Sequence, residues 1–519
     1  MQFRKYVLLS LITAGPLLAR AQDITEAFNL SNQTVQGTAR SMGFGNALGS
    51  VGGDFSSLSV NPAGLGVYRS SELTFTPSLS LNSINSIYLN TSSTDNSSKL
   101  NINNFGLVFT NAPKGARYDS RNWKSVSFAF GVNKMADFHR SYNYSGTNYT
   151  GSASQMFESD ANLYPGNDTF MGSLAYMGYQ SYLINQDSAS GLYKTIVPFS
   201  HGVNQLKTIE EGGYIHEYVI SLGGNYKEVL MLGATLGIPT FNYWRNSSYS
   251  ESLVHPSTNN PDNFNNFNYS SALSIYGQGV NLKFGAIYKV SDNFRIGASF
   301  HSPTYYSITD NFDPTITANA QGHSTSLKAD NGLYKNTFDY NFSTPWKGIL
   351  SATLLVKNFG FLTFDYEYVD YTTMRYKLPS GVDDNGNSFL PTQNALNNEI
   401  KKVYQPASYI KIGGELKLTK FFMARAGFGY YGDAYSKYGE ENSANSYTTQ
   451  RIDLSAGLGF RFEHFFTDFG LVHSTYTGYE KPYSVDYSGV TSGSTATVVP
   501  TAKVDYVVNN LALTLGFKF

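Results

Sequence analysis

The closing stretch NNLALTLGFKF places Leu511, Leu513, Leu515, Phe517 and Phe519 on one parity and Asn510, Ala512, Thr514, Gly516 and Lys518 on the other. Period two marks a strand with one dry and one wet face. Arg451 to Phe462 repeats the pattern, with Ile452, Leu454, Ala456, Leu458, Phe460 and Phe462 against Arg451, Asp453, Ser455 and Arg461. Asn281 to Val290 and Ile410 to Leu418 repeat it again, with Lys283, Lys289, Lys411, Glu415 and Lys417 on the polar side. Fourteen such segments begin near residues 72, 102, 123, 216, 229, 279, 293, 346, 360, 407, 421, 450, 465 and 508.

The connections sort by length. Tight turns are predicted around Tyr226 to Glu228, Ser291-Asp292, Lys357-Asn358, Thr419-Lys420 and Glu463-His464. Long polar segments are predicted at 82–101, 134–215, 239–278, 303–345, 372–406, 432–449 and 476–507. Apart from a middling connection at 112–122, the two kinds alternate. An up-and-down barrel in an outer membrane has short periplasmic turns, long external loops and an even strand count. A sandwich has no reason to sort its loops this way. The predicted fold is therefore all-β, a 14-stranded antiparallel transmembrane barrel over 72–519. Phe519, a terminal aromatic on the last strand, resembles the signal read by the barrel-insertion machinery.

Composition agrees. Charged residues are 14% and aromatics 15%, and no cysteine is present, which suits a Gram-negative envelope. An Arg or Lys facing lipid at mid-bilayer costs ~2–4 kcal/mol, and the charges named above share the polar face. Tyr288, Phe422, Tyr430, Phe462 and Phe465 fall near strand ends, as an interfacial girdle requires. With 37 basic and 38 acidic residues, nothing calls for a nucleic-acid partner. Residues 1–21 read as a secretory signal peptide: Arg4 and Lys5, an apolar run from Tyr6 to Leu18, then Ala19-Arg20-Ala21. Outer-membrane lipid is then the partner of the barrel.

Ahead of the first strand, residues 22–71 are weakly charged, rich in small residues and without strand periodicity. Fourteen strands leave a sizeable lumen. Gly297, Gly413, Gly427, Gly429, Gly457, Gly459 and Gly516 on the polar faces let another backbone approach. The segment is read as a hatch, or plug, inside the lumen.

Here a resemblance enters. FNLSNQTVQGTARSMGFGNALGSVGGDFSSLSVNPAGLG resembles the hatch of the outer-membrane long-chain fatty-acid transporter family (FadL, or toluene-transport type), with Asp54 and Asn61-Pro62-Ala63-Gly64 at its signature positions. FRIGASFHSP, TPWKGILSATLL, LTFDYEYVDYTTM and RAGFGYYGDA follow in the family's order. The resemblance implies passive uptake of a hydrophobic small molecule, caught in external loops, passed into the lumen and released sideways after the hatch rearranges. Asp54 is expected to cap a short hatch helix and Asn61-Pro62 to fix the turn ending it. One departure concerns capture: the longest loop here is the second, 134–215, whereas the family catches ligand with its third and fourth. Within that loop Phe170, Leu174, Met177, Tyr182 and Leu183 form an apolar set, either a landing surface or a packing face over the barrel mouth.

No enzyme is expected. GFGYYG (Gly427 to Gly432) fits a dinucleotide motif but lies inside an alternating strand. The eight histidines show no metal-binding spacing, and His301 and His473 are placed near the external rim. Asp365 and Glu367 share the lumen face and are expected to pair with Lys411, Arg425 or Arg451. No cofactor is called for. The alternative function is an envelope receptor, for haem or adhesion, whose external loops bind while the barrel anchors them.

Overall fold

The computed structural model describes residues 24–113, 115–163, 174–255, 260, 262–328, 337–381, 388–442, 450–485 and 499–519. The predicted signal peptide and Phe170 lie outside the described residues.

Fourteen antiparallel strands close on themselves. They are β1 Glu72–Tyr88, β2 Thr91–Asn111, β3 Trp123–Asp137, β4 Val203–Tyr226, β5 Leu230–Leu253, β6 Asn266–Lys289 and β7 Phe294–His301. The second half is β8 Lys347–Val356, β9 Gly360–Asp370, β10 Pro406–Lys417, β11 Phe422–Tyr431, β12 Arg451–Arg461, β13 Phe465–Glu480 and β14 Ala502–Lys518. Each pairs with its sequence neighbours, and β1 pairs with β14 from Glu72↔Lys518 to Ile87↔Lys503. Phe519 and Ser71 exchange backbone hydrogen bonds below that seam, at 3.1 and 3.2 Å. No sheet edge is left open around this seam, which hydrocarbon requires.

The apolar parity faces out. Leu511, Leu515, Phe517, Ile452, Leu454, Leu458, Leu282 and Phe284 are all exposed on the barrel's outer surface. Their polar alternates, among them Lys283, Glu415, Arg425 and Thr514, are buried in the lumen. A closed barrel that exposes an apolar band and buries its charges is a transmembrane barrel. The chain is an outer-membrane protein.

All five predicted tight turns are present at one end. Lys227, Glu228 and Asn358 take the positive φ values such turns need. At the other end the strands run further than predicted. The segment 82–101 is not a loop: β1 and β2 continue to a two-residue turn at Leu89-Asn90, both with positive φ. Likewise β3 resumes as Arg140–Asn148, β7 as Tyr305–Ala320, β8 is preceded by Thr337–Ser343, and β9 resumes as Arg375–Lys377. These polar extensions stand above the membrane. The second loop thus shrinks to 149–202, where helices Ser154–Leu163 and Leu174–Gln180 build a cap. Its core of Phe157, Met177, Leu183 and Ile184 packs on Tyr249, Phe267 and Ile316 of the wall.

Candidate functional site

The N-terminal segment contains α1 Ile24–Ser31, α2 Ala39–Gly43 and two 3-10 turns, Phe55–Ser59 and Pro62–Val67. Each turn starts at a capping side chain: Asp54, as expected, and Asn61, which opens a second turn rather than ending the first. Asp54 Oδ1 accepts from Ser56 N at 2.9 Å, and Asn61 Oδ1 accepts from Ala63 N at 3.1 Å, with Pro62 opening the second turn. The Asn61 amide also donates to Gly49 O (2.6 Å), Ala286 O (3.2 Å) and Ala298 O (3.3 Å), reaching β6 and β7. Ala63 packs on Met231 and Ile287, and Gly64 lies so close to Ser57 that a Cβ would meet its Oγ at 2.4 Å.

Wall glycines admit this segment. A Cβ on Gly413 would lie 2.0 Å from Phe44 O, one on Gly427 2.4 Å from Gly45 N, and one on Gly297 2.4 Å from Gly49 O. Backbone meets backbone, so a side chain at any of these positions would drive segment and wall apart.

Charge ties the same surfaces. Asp54 accepts from Thr38 Oγ1 at 2.8 Å, and Arg40 Nη1 stands 3.8 Å from its other oxygen. Arg40 Nε then reaches Glu415 Oε2 at 3.2 Å; Arg425 holds that same oxygen at 2.8 Å and Asp468 at 2.7 Å. Glu367 meets Lys411 at 2.9 Å and Lys347 at 3.5 Å, whereas Asp365 accepts from Gly49 N at 2.9 Å. Lys411 is thus the expected partner that Glu367 takes, while Arg451 pairs with Asp453 at 3.0 Å. The carboxylates Asp365 and Glu367 both hold structure together.

Above the segment the lumen turns aromatic. A cavity of about 180 Å³ is lined by Phe28, Phe138, Tyr409, Tyr431, Tyr476 and Tyr506 together with Arg140, Arg245 and Arg451. Tyr476 and Tyr506 stack at 4.6 Å, and the Arg451 guanidinium lies 3.8 Å from the Tyr431 ring centre. Arg140 pairs with Glu211 at 2.8 Å, and Arg245 reaches Glu211 and Glu480. Helix α1 sits in this ring: Phe28 lies 5.3 Å from Tyr371, 5.9 Å from Tyr404 and 6.2 Å from Tyr435, and Tyr404 OH donates to Ile24 O at 2.7 Å.

Beside the cavity the wall ladder is interrupted. Pairing between β2 and β3 stops at Asn104↔Asn133. Beyond it β2 meets the end of β3 and its extension through side chains, as in Asn101 to Asp137 (2.8 Å) and Asn143 to Asp95 (2.9 Å). The β3 edge freed there is taken from inside: Thr34 N donates to Met135 O at 3.0 Å and Gln36 N to Lys134 O at 2.8 Å.

The predicted capture residues lie apart from this cavity. Met177 and Leu183 are buried in the cap, and Leu174 and Tyr182 pack partly buried against its core. His301 faces the lumen and contacts Val60 O at 2.7 Å, not the external rim. His473 contacts Asn509. Among the described residues no group of three His, Cys, Asp or Glu could hold a metal ion. Phe28, Arg140, Arg245, Tyr476 and Tyr506 were not singled out from the sequence, because their segments read as hatch or loop.

No protein-family model matches the sequence, and no curated protein matches it. The fold does have counterparts. A Pseudomonas aeruginosa FadL homologue superposes with a TM-score of 0.52 at 12% identity, over 94% of this chain and 100% of that one. The toluene transporter TbuX of Ralstonia pickettii aligns over 93% of this chain and 98% of that one, at 12% identity and a TM-score of 0.48. The barrel architecture is that of FadL-type channels.

Proposed function

We propose that the protein is a passive outer-membrane channel for long-chain fatty acids or similar hydrophobic small molecules, with the N-terminal segment as its plug. The carrying observation is the aromatic ring inside the lumen, which adjoins the interrupted β2–β3 ladder. An apolar solute loses little on leaving the membrane interface for such a cavity, so no energy source is needed. A carboxylate head group would compete for the three arginines at its wall with their present partners Glu211, Glu480 and Asp453. Release is sideways: once Thr34 and Gln36 leave the β3 edge, the cavity opens between β2 and β3 toward the bilayer. The reading assigns transport and no chemical step. The likeness of fold to a FadL homologue is consistent with it.

The test is uptake of labelled oleate, and separately of labelled toluene, by cells carrying the wild type or a variant lacking residues 22–66. Ligand-dependent uptake in the wild type, replaced by leakage of polar solutes in the variant, is expected. Absence of oleate and toluene uptake by the wild type would overturn the reading in favour of a loop-based receptor.

A further inference from the structure

A second concavity lies on the outside of the barrel, away from the lumen. The wall bends there. Pro239 interrupts the β5–β6 ladder, which jumps from Gly237↔Asn281 to Thr240↔Gln278. Residues 302–304 and 344–346, with Pro303 and Pro345, separate β7 and β8 from their extensions. The bend leaves a hollow of about 770 Å³ lined by Ile238, Val280, Tyr305, Arg375 and Lys377 among others.

Register shows how these side chains are arranged. Tyr305 lies opposite Val280 on one side and Ser343 on the other, and Ser343 lies opposite Arg375. One step further from the membrane the row is Gln278, Ser307, Asn341 and Lys377. Directly opposed residues share a face. The hollow therefore has an apolar floor and two cations along one side. Tyr305 is 64% exposed, an unusual position for so large a ring. Arg375 is held in place: its Nη1 donates to Thr372 O at 2.7 Å and Met374 O at 2.6 Å. Lys377 is exposed and makes no ion pair with a described residue. Of the acids on these strands, Asp339 takes the Thr309 hydroxyl one row further out, and Asp370 caps the turn at 371–373.

Height decides what this hollow meets. Val280 stands nine residues above Lys289, the periplasmic end of β6. At about 3.3 Å per residue and a tilt of about 40°, that is about 23 Å, the top of an apolar band about 25 Å tall. An outer aromatic belt runs at the same level, with Phe300 6.1 Å from Trp346 and Trp346 5.7 Å from Tyr368. The floor thus faces acyl chains and the cations face head groups.

We propose that this hollow binds a phosphorylated glycolipid of the outer leaflet, with an acyl chain on Ile238, Val280 and Tyr305 and a phosphate at Arg375 and Lys377. A guanidinium with an ammonium one row away matches a multiply charged phosphate, and an apolar floor open to the bilayer has no use for a free anion. The inference does not depend on the transport reading.

Native mass spectrometry of the full chain, extracted from its own outer membrane in mild detergent, tests it. The variants are Arg375→Ser with Lys377→Ser, and as control Lys401→Ser with Lys402→Ser on the exposed helix Leu390–Val403. Heat-dependent gel mobility establishes that each barrel is folded. The wild type and control are expected to carry one phosphorylated glycolipid. Affinity for it falls about 30-fold in the first pair, at about 1 kcal/mol for each cation near the surface, and the bound fraction drops below that of the wild type. Equal retention in both pairs would overturn the proposal. So would a fatty acid bound in place of the glycolipid, or displacement of the lipid by inorganic phosphate.

Discussion

The carboxamide of Asn61 occupies the space that a side chain at Gly285 would need, since a Cβ built there would lie 1.8 Å from Asn61 Oδ1. Gly285→Ala is therefore expected to unseat the N-terminal segment and admit large polar solutes such as vancomycin. Asn61→Gly alone loses a turn cap, one bond within the segment and two wall contacts, at a cost of about 1–2 kcal/mol. In combination it clears the clash, so the double variant should leak less than Gly285→Ala. Leakage that adds across the two substitutions would show that they do not meet.

Arg40 and Arg425 share Glu415, but they are not equivalent. Both leave their acids a second cation, Arg461 for Asp468 and each other for Glu415, but Arg425 is fully buried between Glu415 and Asp468, whereas Arg40 keeps some exposure. Arg425→Met leaves two buried carboxylates under-compensated and should destabilise the folded barrel by about 3 kcal/mol. Arg40→Met should cost about 1 kcal/mol, since Thr38 and Ser56 still hold Asp54. Urea unfolding in lipid vesicles measures both, and the order of the two midpoints is the decisive quantity.

What the sequence disclosed and concealed has a physical cause. Where one face meets lipid, alternation is strict, as in Leu511 to Phe517, and those strands were legible. Above the bilayer both faces of β2 meet water or polar neighbours, so Thr91 to Asn101 lost its period and read as loop. The same loss hid the site. Arg140, Arg245 and Tyr506 lie on such extensions, where an inward aromatic or cation has no apolar outward partner to mark its parity. Asp54 was legible because capping needs few side-chain types at a fixed spacing, whereas Asn61, expected in the turn that ends a helix, opens a second 3-10 turn instead. The β2–β3 interruption was not, because pairing depends on two strands and periodicity reports one.

Phe28 is the residue that fixes α1 in the aromatic ring. Truncating a ring packed against Tyr371, Tyr404 and Tyr435 costs roughly 3 kcal/mol of local packing. Under the transport reading, Phe28→Ala should raise the rate of labelled oleate uptake severalfold, because α1 vacates the cavity more often. Tyr404→Phe, which keeps the ring but loses the hydroxyl's bonds to Ile24 O and Tyr435 OH, should have a smaller effect in the same direction. Slower uptake in Phe28→Ala would mean that Phe28 contacts ligand rather than blocks it.

Asp310 sits on the β7 extension, buried, with one carboxylate oxygen unpartnered. Burial first, and then the charge of Asp339, push its pKa up from 3.8 to about 7. A carboxyl raised in the folded state holds a proton there that the unfolded chain has already released. Between about pH 4 and 7 the native state therefore binds more protons, and stability falls as pH rises. Above about pH 7 the loss is complete, at most about 4 kcal/mol and confined to this hairpin. Hydrogen-exchange protection of Tyr305–Asn311 and Thr337–Ser343 is thus expected to be higher at pH 5 than at pH 8. Asp310→Asn, neutral throughout, should abolish that difference while leaving protection at pH 5 nearly unchanged. Equal protection of the wild type at both values would place a compensating partner on Asp310 and remove the switch.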